Sequence, residues 1–344
     1  MLENKGKTEL SSLGEFGLID LLTSHIKHYN PSTIKGVGDD AAVIKNGNVC
    51  TLVSTDMLLE GVHFDLSYFP LRHLGYKSIV VNLSDIYAMN AQPKQVTVSF
   101  GISSKFSLEA IEEIYAGMLL ACENYKVDLI GGDTSSSKQG LVISITAIGE
   151  CPEDKIVYRK GAKPMDLLCV TGDLGAAYMG FQLLEREKRV YLANPEIQPD
   201  LEGHDYIVER QLKPEARKEI IDALEQYQLK PTAMIDISDG LSSEIFHLCR
   251  NSNIGITLFE EKIPIDPTTY EMAREMDLDP TLCALSGGED YELLFTIDQK
   301  DYDKIKNHPE ISIIGHCTDE AEGIHLITKS GNKHALQAQG WKAF

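Results

Sequence analysis

The chain is 344 residues long, 43% apolar and strongly acidic, with 52 Asp and Glu against 32 Lys and Arg and a net charge of −20. Roughly two domains with real apolar cores are expected at that length. The charge speaks against non-specific binding to nucleic acid or to an anionic membrane, since both need a basic face, but not against a phosphorylated substrate bridged by metal ions.

Residues 1–35 start polar and then read as a helix. Ser11 and Ser12 are placed to cap it, and Phe16, Ile19, Leu22 and Ile26 recur at helical spacing. Residues 36–65 hold two short apolar runs, 41–44 and 49–53. A hairpin made from them would bury its middle and leave both ends on one rim. That would gather Asp40, Ser54, Thr55 and Asp56 into one oxygen-rich corner. Hard divalent cations take oxygen ligands, and magnesium is commonly held by a few carboxylates plus phosphate oxygens. The plainer reading is two acidic strand ends facing water. His63 follows in EGVHFD, beside the corner; it is either structural or a substrate contact.

Residues 72–91 read as an amphipathic helix, with Leu74, Ile79, Val80, Leu83, Ile86 and Met89 as its stripe. Asp85 lies close to that stripe. It needs a metal, an Arg or backbone amides there, or desolvation costs several kcal/mol. Residues 95–102 alternate as a strand. Residues 107–126 give a second helix, with Leu108, Ile111, Ile114, Met118 and Leu119 on one side. A short buried-type strand then runs into Gly131, Gly132 and Asp133, where paired glycines would let backbone approach a ligand. A strand at 141–150 completes the order β, β, α, β, α, β, β of one α/β domain. The charged connection 151–166 separates the expected domains, 1–152 and 153–344. It carries Arg159, Lys160 and Lys163, either a solvated linker or, through Arg159, a guanidinium contact to phosphate.

Beyond it, 166–184 reads as strand, Gly-Asp turn and helix, 185–215 as a helix end with a long surface loop, and 216–228 as a helix. In AMIDISDGLSSEIFHLC (233–249) a strand turns into a helix. Asp236 and Asp239 could both point into one site there, with Ser238 at a helix start that favours anions. Capping by Ser238 or Asp239 is the plainer use. A strand at 255–265 and a helix at 268–276 follow. Gly287, Gly288, Glu289 and Asp290 lead into a strand within 284–297, and strands at 311–319 and 324–330 close the fold. Trp341 is the only tryptophan and sits in the tail GWKAF. Tails are commonly loose, though an aromatic there could close over a ring.

The seven cysteines, Cys50, Cys122, Cys151, Cys169, Cys249, Cys283 and Cys317, form no CxxC pair. Reduced buried thiols in the cytoplasm are expected rather than a zinc site. No secretory leader and no membrane span is read in the chain. Walker A, GxGxxG, kinase HRD…DFG and GxSxG signatures are all absent from the sequence. The recurring device is an acid beside Gly or Ser at a strand end. Several magnesium ions held by such carboxylates would hold phosphates in turn. Phosphoryl transfer asks mainly for positioning and charge neutralisation. The residues alone therefore indicate a magnesium-dependent, phosphate-handling α/β enzyme.

GVGDDAAVI, STDMLLEGVHFD, NLSDIYAMNAQP, DLIGGDTSSS, YRKGAK, TGDLGAAYMGFQLL, MIDISDGLSSE and GGEDYELLFT, in this order, resemble the thiamine-monophosphate kinases of the aminoimidazole-ribonucleotide synthetase superfamily. The resemblance runs over nearly the whole chain. It implies a two-domain α/β (α+β) fold in which the N-terminal sheet pairs with its copy across a homodimer and a C-terminal α+β domain completes the site. It also implies transfer from ATP to thiamine monophosphate, with several Mg²⁺ ions. Asp40, Asp56, Asp85, Asp133, Asp236 and Asp239 would hold metal, helped by Ser54 and Thr55. ATP would meet Tyr115, Gly132, Asp133, Arg159 and Ser238. His63, Glu289 and Trp341 would meet the thiamine phosphate. The tail lacks the His expected before its final Phe. Selenophosphate synthetases and hydrogenase maturation factors are the nearest alternatives; the former usually carries a reactive Cys near the N-terminus, and none precedes Cys50. A divalent-ion-binding scaffold without turnover would explain the carboxylates but not Arg159 and the Gly-Gly loops.

Overall fold

The computed structural model describes residues 12–337. Its elements form two sheets in a mixed α/β fold. The first sheet holds β1 (Thr33–Lys35), β2 (Ala42–Asn46), β3 (Val49–Leu59), β4 (Gln92–Ile102), β5 (Asp128–Ser136) and β6 (Val142–Pro152), in the order β1-β2-β3-β6-β4-β5. The expected hairpin is β2–β3, closed by a two-residue turn at Asn46↔Val49 in which Gly47 takes φ +67°. β3 and β6 then pair antiparallel from Val49↔Pro152 to Leu59↔Val142. Side chains alternate along β3, so Leu52, Ser54 and Leu58 are buried on one face while Thr55 and Met57 are exposed on the other.

α1 (Gly14–Thr23) precedes this sheet, and α2 (Leu71–Ala88) and α3 (Leu108–Tyr125) pack with it. The cap of α1 is Leu13, with no side-chain bond, rather than a serine; Leu22 and Ile26 of its expected stripe are exposed. The stripe expected on α2 is fully buried, but so are Tyr76, Lys77, Ser78, Asn82 and Ser84. The helix is wrapped on all sides, by the first sheet, by α3 and by the second half of the chain, so it is not amphipathic. At the α2–α3 crossing the backbones touch: a Cβ on Gly75 would lie 1.8 Å from the Ile114 carbonyl oxygen, and one on Gly117 1.8 Å from that of Arg72. On α3 Ile114 and Met118 are buried, whereas Leu108 and Leu119 are exposed. β5 was expected to be buried. Among the described residues it pairs only with β4, in parallel, at the sheet edge, and it is exposed along nearly its whole length.

The second sheet holds β7 (Leu167–Thr171), β8 (Ala233–Asp236), β9 (Ile254–Phe259), β10 (Leu293–Ile297), β11 (Ile311–Asp319), β12 (Ile324–Ile327) and β13 (Lys333–Ala335), ordered β13-β12-β9-β11-β7-β10-β8. With it come α4 (Ala176–Ala193), α5 (Asp205–Leu212), α6 (Lys218–Gln226), α7 (Leu241–Ser252), α8 (Pro267–Glu275), α9 (Pro280–Ser286) and α10 (Tyr302–Ile305). The stretch read as a surface loop at 185–215 contains α5, whose Ile207, Gln211 and Leu212 are buried; eight residues are too few to show a helical period. α9 was also missed. It is short, begins at Pro280, and is capped by Asp279 Oδ1, which accepts from Thr281 N at 2.8 Å. The largest apolar cluster joins Leu52, Ile86 and Val96 to Met234, Leu293 and Phe295, so the first sheet and the second share one core.

Candidate active site

An open cleft of about 1210 Å³ runs between the two halves. Its acidic end is assembled from four segments. The loop before β2 supplies Asp39 and Asp40, β3 supplies Ser54 and Asp56, α2 supplies Asp85, and the end of β8 supplies Asp236. Asp40, Asp85 and Asp236 each offer an oxygen, all within 4.8 Å of one another. Ser54 Oγ donates to Asp85 Oδ2, and Ser84 Oγ donates to Asp236 Oδ2 at 2.6 Å. The Asp56 amide donates to Asn82 Oδ1 at 3.0 Å. Arg159 lies against the cluster: its Nη2 and Nε donate to Asp40 Oδ1 at 2.6 and 3.1 Å, and its amide donates to Asp39 Oδ1 at 2.9 Å. Arg159 is thus not part of a merely solvated linker: its guanidinium is engaged by Asp40.

The electrostatics follow from crowding like charges out of water. Burial, with the charge of Asp40, pushes Asp56 up to about 6, against a hydrogen bond to Asp85. Burial and Asp40 push Asp236 up to about 7. Asp85 is raised well above the usual carboxylate range by burial and then by Asp56, Asp236 and Asp40. Asp40 Oδ2 is buried and accepts no hydrogen bond from the described residues. Oxygen-only donors, an unpartnered buried carboxylate oxygen and an excess of negative charge fit a hard divalent cation such as Mg²⁺.

Asp239 and Ser238 also line the cleft, but their own backbone amides are already taken. The amides of Ser238 and Asp239 donate to Glu244 Oε1 at 3.2 and 2.8 Å. Glu244, in the first turn of α7, is buried; burial and Asp239 raise its carboxyl to about 8. Sequence reasoning missed it, although a Glu in a first helical turn is a recognised partner for such amides.

At the other end, His63 and Glu289 line the same cleft. His63 Nδ1 accepts from the Leu59 amide at 3.0 Å, and burial lowers its pKa. Glu289 is held by Lys77 and Gln211, two residues nothing in the sequence singled out. Lys188, on α4, pairs with Asp65, whose carboxyl is held down to about 2 against its partial burial by hydrogen bonds from Lys188 and Ser67.

Three expected residues, Gly132, Asp133 and Tyr115, are not brought to this cleft, and Thr55 lines it without joining the acidic cluster. Thr55 contributes no side chain to the cluster: it sits on the opposite face of β3, its Oγ1 2.9 Å from Thr146 Oγ1. Gly132 and Asp133 lie on the exposed edge strand β5, where a Cβ on Gly132 would stand 1.7 Å from the Val98 carbonyl oxygen. Strand pairing alone therefore requires that glycine. Tyr115 stacks on Phe100, ring centres 5.5 Å apart. Trp341 lies outside the described residues.

The family described as AIR synthase related protein, N-terminal domain, matches residues 38–151. A thiamine-monophosphate kinase of Aquifex aeolicus is 34% identical over 336 residues, 97% of this chain and 99% of the relative. The chain belongs to the thiamine-monophosphate kinase family. A further thiamine-monophosphate kinase, from Bacillus subtilis, is 32% identical and covers 96% of this chain and 100% of its own. The structure described as "AaThiL complexed with AMPPCP and TMP" superposes with a TM-score of 0.85 at 31% identity, covering 99% of this chain and 100% of that one. HypE in its complex with HypF shares the fold, with a TM-score of 0.69 at 19% identity and coverage of 93% and 99%.

Proposed function

We propose that this thiamine-monophosphate kinase family member transfers the γ-phosphoryl group of ATP directly to the phosphate of thiamine monophosphate, giving thiamine diphosphate and ADP. The observation that carries the reading is the convergence of Asp40, Asp85 and Asp236 at one end of a cleft whose other end presents His63 and Glu289. A phosphate oxygen of the substrate attacks in line as the bond from the γ-phosphorus to the bridging oxygen of ADP breaks. No phosphoenzyme is involved. The relative bound to AMPPCP and TMP supports the choice of both substrates.

Asp40, Asp56, Asp85, Asp236 and Asp239, with Ser54, would hold Mg²⁺. Bound there, Mg²⁺ supplies positive charge to the phosphate oxygens during transfer. Arg159 holds Asp40 in place and offers a second cation at the phosphate end. Ser238 presents its side chain to the nucleotide. His63 and Glu289 set the position of the thiamine moiety. We assign residues 1–152 and 153–344 to two domains that close this cleft between them. The exposed edge β5, with Ile130 also exposed, supports pairing of the first sheet with its copy in a homodimer. Described residues include no helix long and apolar enough to cross a membrane, and the seven free, buried thiols support a cytoplasmic setting.

A coupled ADP-release assay on the purified protein tests the reading, with thiamine monophosphate set beside other vitamin and nucleotide phosphates. Turnover should require Mg²⁺ and be fastest with thiamine monophosphate. Equal or faster turnover of another acceptor would replace it.

A further inference from the structure

Lys77 sits in mid-α2 with 1% of its surface exposed, between the two halves of the chain. An ammonium group out of water must be met by acceptors or give up its charge. Here Nζ donates to the Gln211 carbonyl oxygen on α5 at 2.9 Å and to Glu289 Oε2 at 2.8 Å, and lies 5.6 Å from the centre of the Phe69 ring. Gln211 completes a clamp, because its Nε2 donates to the same Glu289 Oε2 at 3.0 Å. One oxygen of Glu289 thus takes both bonds. Its Oε1 takes none among the described residues, and the side chain is 30% exposed in the cleft.

The backbone of Glu289 is fixed as tightly. It takes φ +58°, a left-handed conformation rare for a residue with a side chain, and its amide donates to the Ser238 carbonyl oxygen at 2.7 Å. The glycine before it, Gly288, has φ +72°. Glu289 is therefore aimed from both ends. Lys77 is the part of the clamp that comes from the first half of the chain.

We propose that Lys77 is the positioning residue of the substrate end of the cleft: with Gln211 it fixes Glu289 through Oε2 and presents Oε1 to a hydrogen-bond donor of the substrate. Lys77 touches no reacting atom and acts through Glu289. The identity of the donor, the exocyclic amine of thiamine, rests on the function proposed above; the clamp itself does not.

The test compares Lys77→Met, Glu289→Gln and the double variant with wild type, by steady-state kinetics and by a crystal structure of Lys77→Met. Loss of an aimed, charge-assisted hydrogen bond should raise KM for thiamine monophosphate about tenfold or more, while KM for ATP moves less than about twofold. In the Glu289→Gln background, adding Lys77→Met should change KM for thiamine monophosphate less than about twofold, because the two act as one unit. A full Lys77→Met effect in that background, or equal rises in both KM values, would overturn the proposal. If Lys77→Met does not fold, the double variant and Lys77→Gln carry the comparison, since the first removes both charges and the second keeps a hydrogen-bond donor for Glu289. The crystal structure decides independently of substrate: the Glu289 carboxylate should leave its place, and an unmoved carboxylate refutes the clamp. Absence of turnover by wild type would count against the proposed function, and the crystal structure would then decide the clamp alone.

Discussion

Replacing Asp236 with Asn should make the ligand-free protein more stable, by an amount that depends on pH. Asp236 is 3% exposed, and burial with the charge of Asp40 moves its carboxyl from 3.8 to about 7. The folded value lies above the unfolded one, so the native state binds the proton more tightly. The penalty for ionising Asp236 is absent below about pH 4, grows as pH rises, and is complete above about pH 7. A shift of about 3 units at about 1.4 kcal/mol each sets a ceiling of about 4 kcal/mol. Coulomb's law gives the same order: two carboxylate oxygens at the cluster's 4.8 Å limit repel by about 3.5 kcal/mol at an effective dielectric of about 20. Asn keeps an oxygen for Ser84 Oγ, so the 2.6 Å hydrogen bond survives. At about 2.1 cal/mol/K per residue, unfolding 344 residues has an entropy of about 0.7 kcal/mol/K, so the ceiling corresponds to about 6 °C. Calorimetric melts in EDTA should show the variant ahead by about 2 °C at pH 5 and about 6 °C at pH 8. With millimolar Mg²⁺ and ATP the wild type should gain and the variant should not. A variant melting at or below wild type at pH 8 in EDTA would refute the idea that these carboxylates repel one another in the folded state.

Asp56→Asn should lower ADP release more than about 100-fold with a far-ultraviolet circular dichroism spectrum like that of wild type; wild-type turnover would remove Asp56 from the site. Arg159→Met leaves Asp40, whose side chain is fully buried, without its counter-charge. Urea unfolding should show a loss of about 3–5 kcal/mol, and a loss below about 1 kcal/mol would mean that Asp40 has another partner. Gly75→Ala would place a methyl 1.8 Å from the Ile114 carbonyl oxygen and force α2 and α3 apart. It should cost about 1–3 kcal/mol or more, and an unchanged melting temperature would contradict the backbone contact at that crossing.

What could be read from the sequence was local. The β2–β3 hairpin and the β8–α7 turn announce themselves by apolar runs ending in Asp beside Gly or Ser, and Asp40, Asp56 and Asp236 do meet in one cleft. The partners of those acids are not local. Lys77 and Glu289 are 212 residues apart in the chain and Arg159 and Asp40 are 119 apart, so no spacing rule links them. Strand direction and strand burial also differ in legibility. Alternation places β4 correctly, but nothing in DLIGGDTSS says that β5 lies at a sheet edge, and so Asp133 and Gly132 fall outside the cleft. α2 shows why this matters for function. A helical period sorts apolar positions from polar ones on the premise that the polar side meets water. In a helix enclosed by both halves of a chain that premise fails, and every polar residue on it must have a buried partner. Asn82, Ser84 and Asp85 are all committed at the acidic end of the cleft, and Lys77 at the other. On such a helix the residues that break the apolar pattern are the ones that build the site.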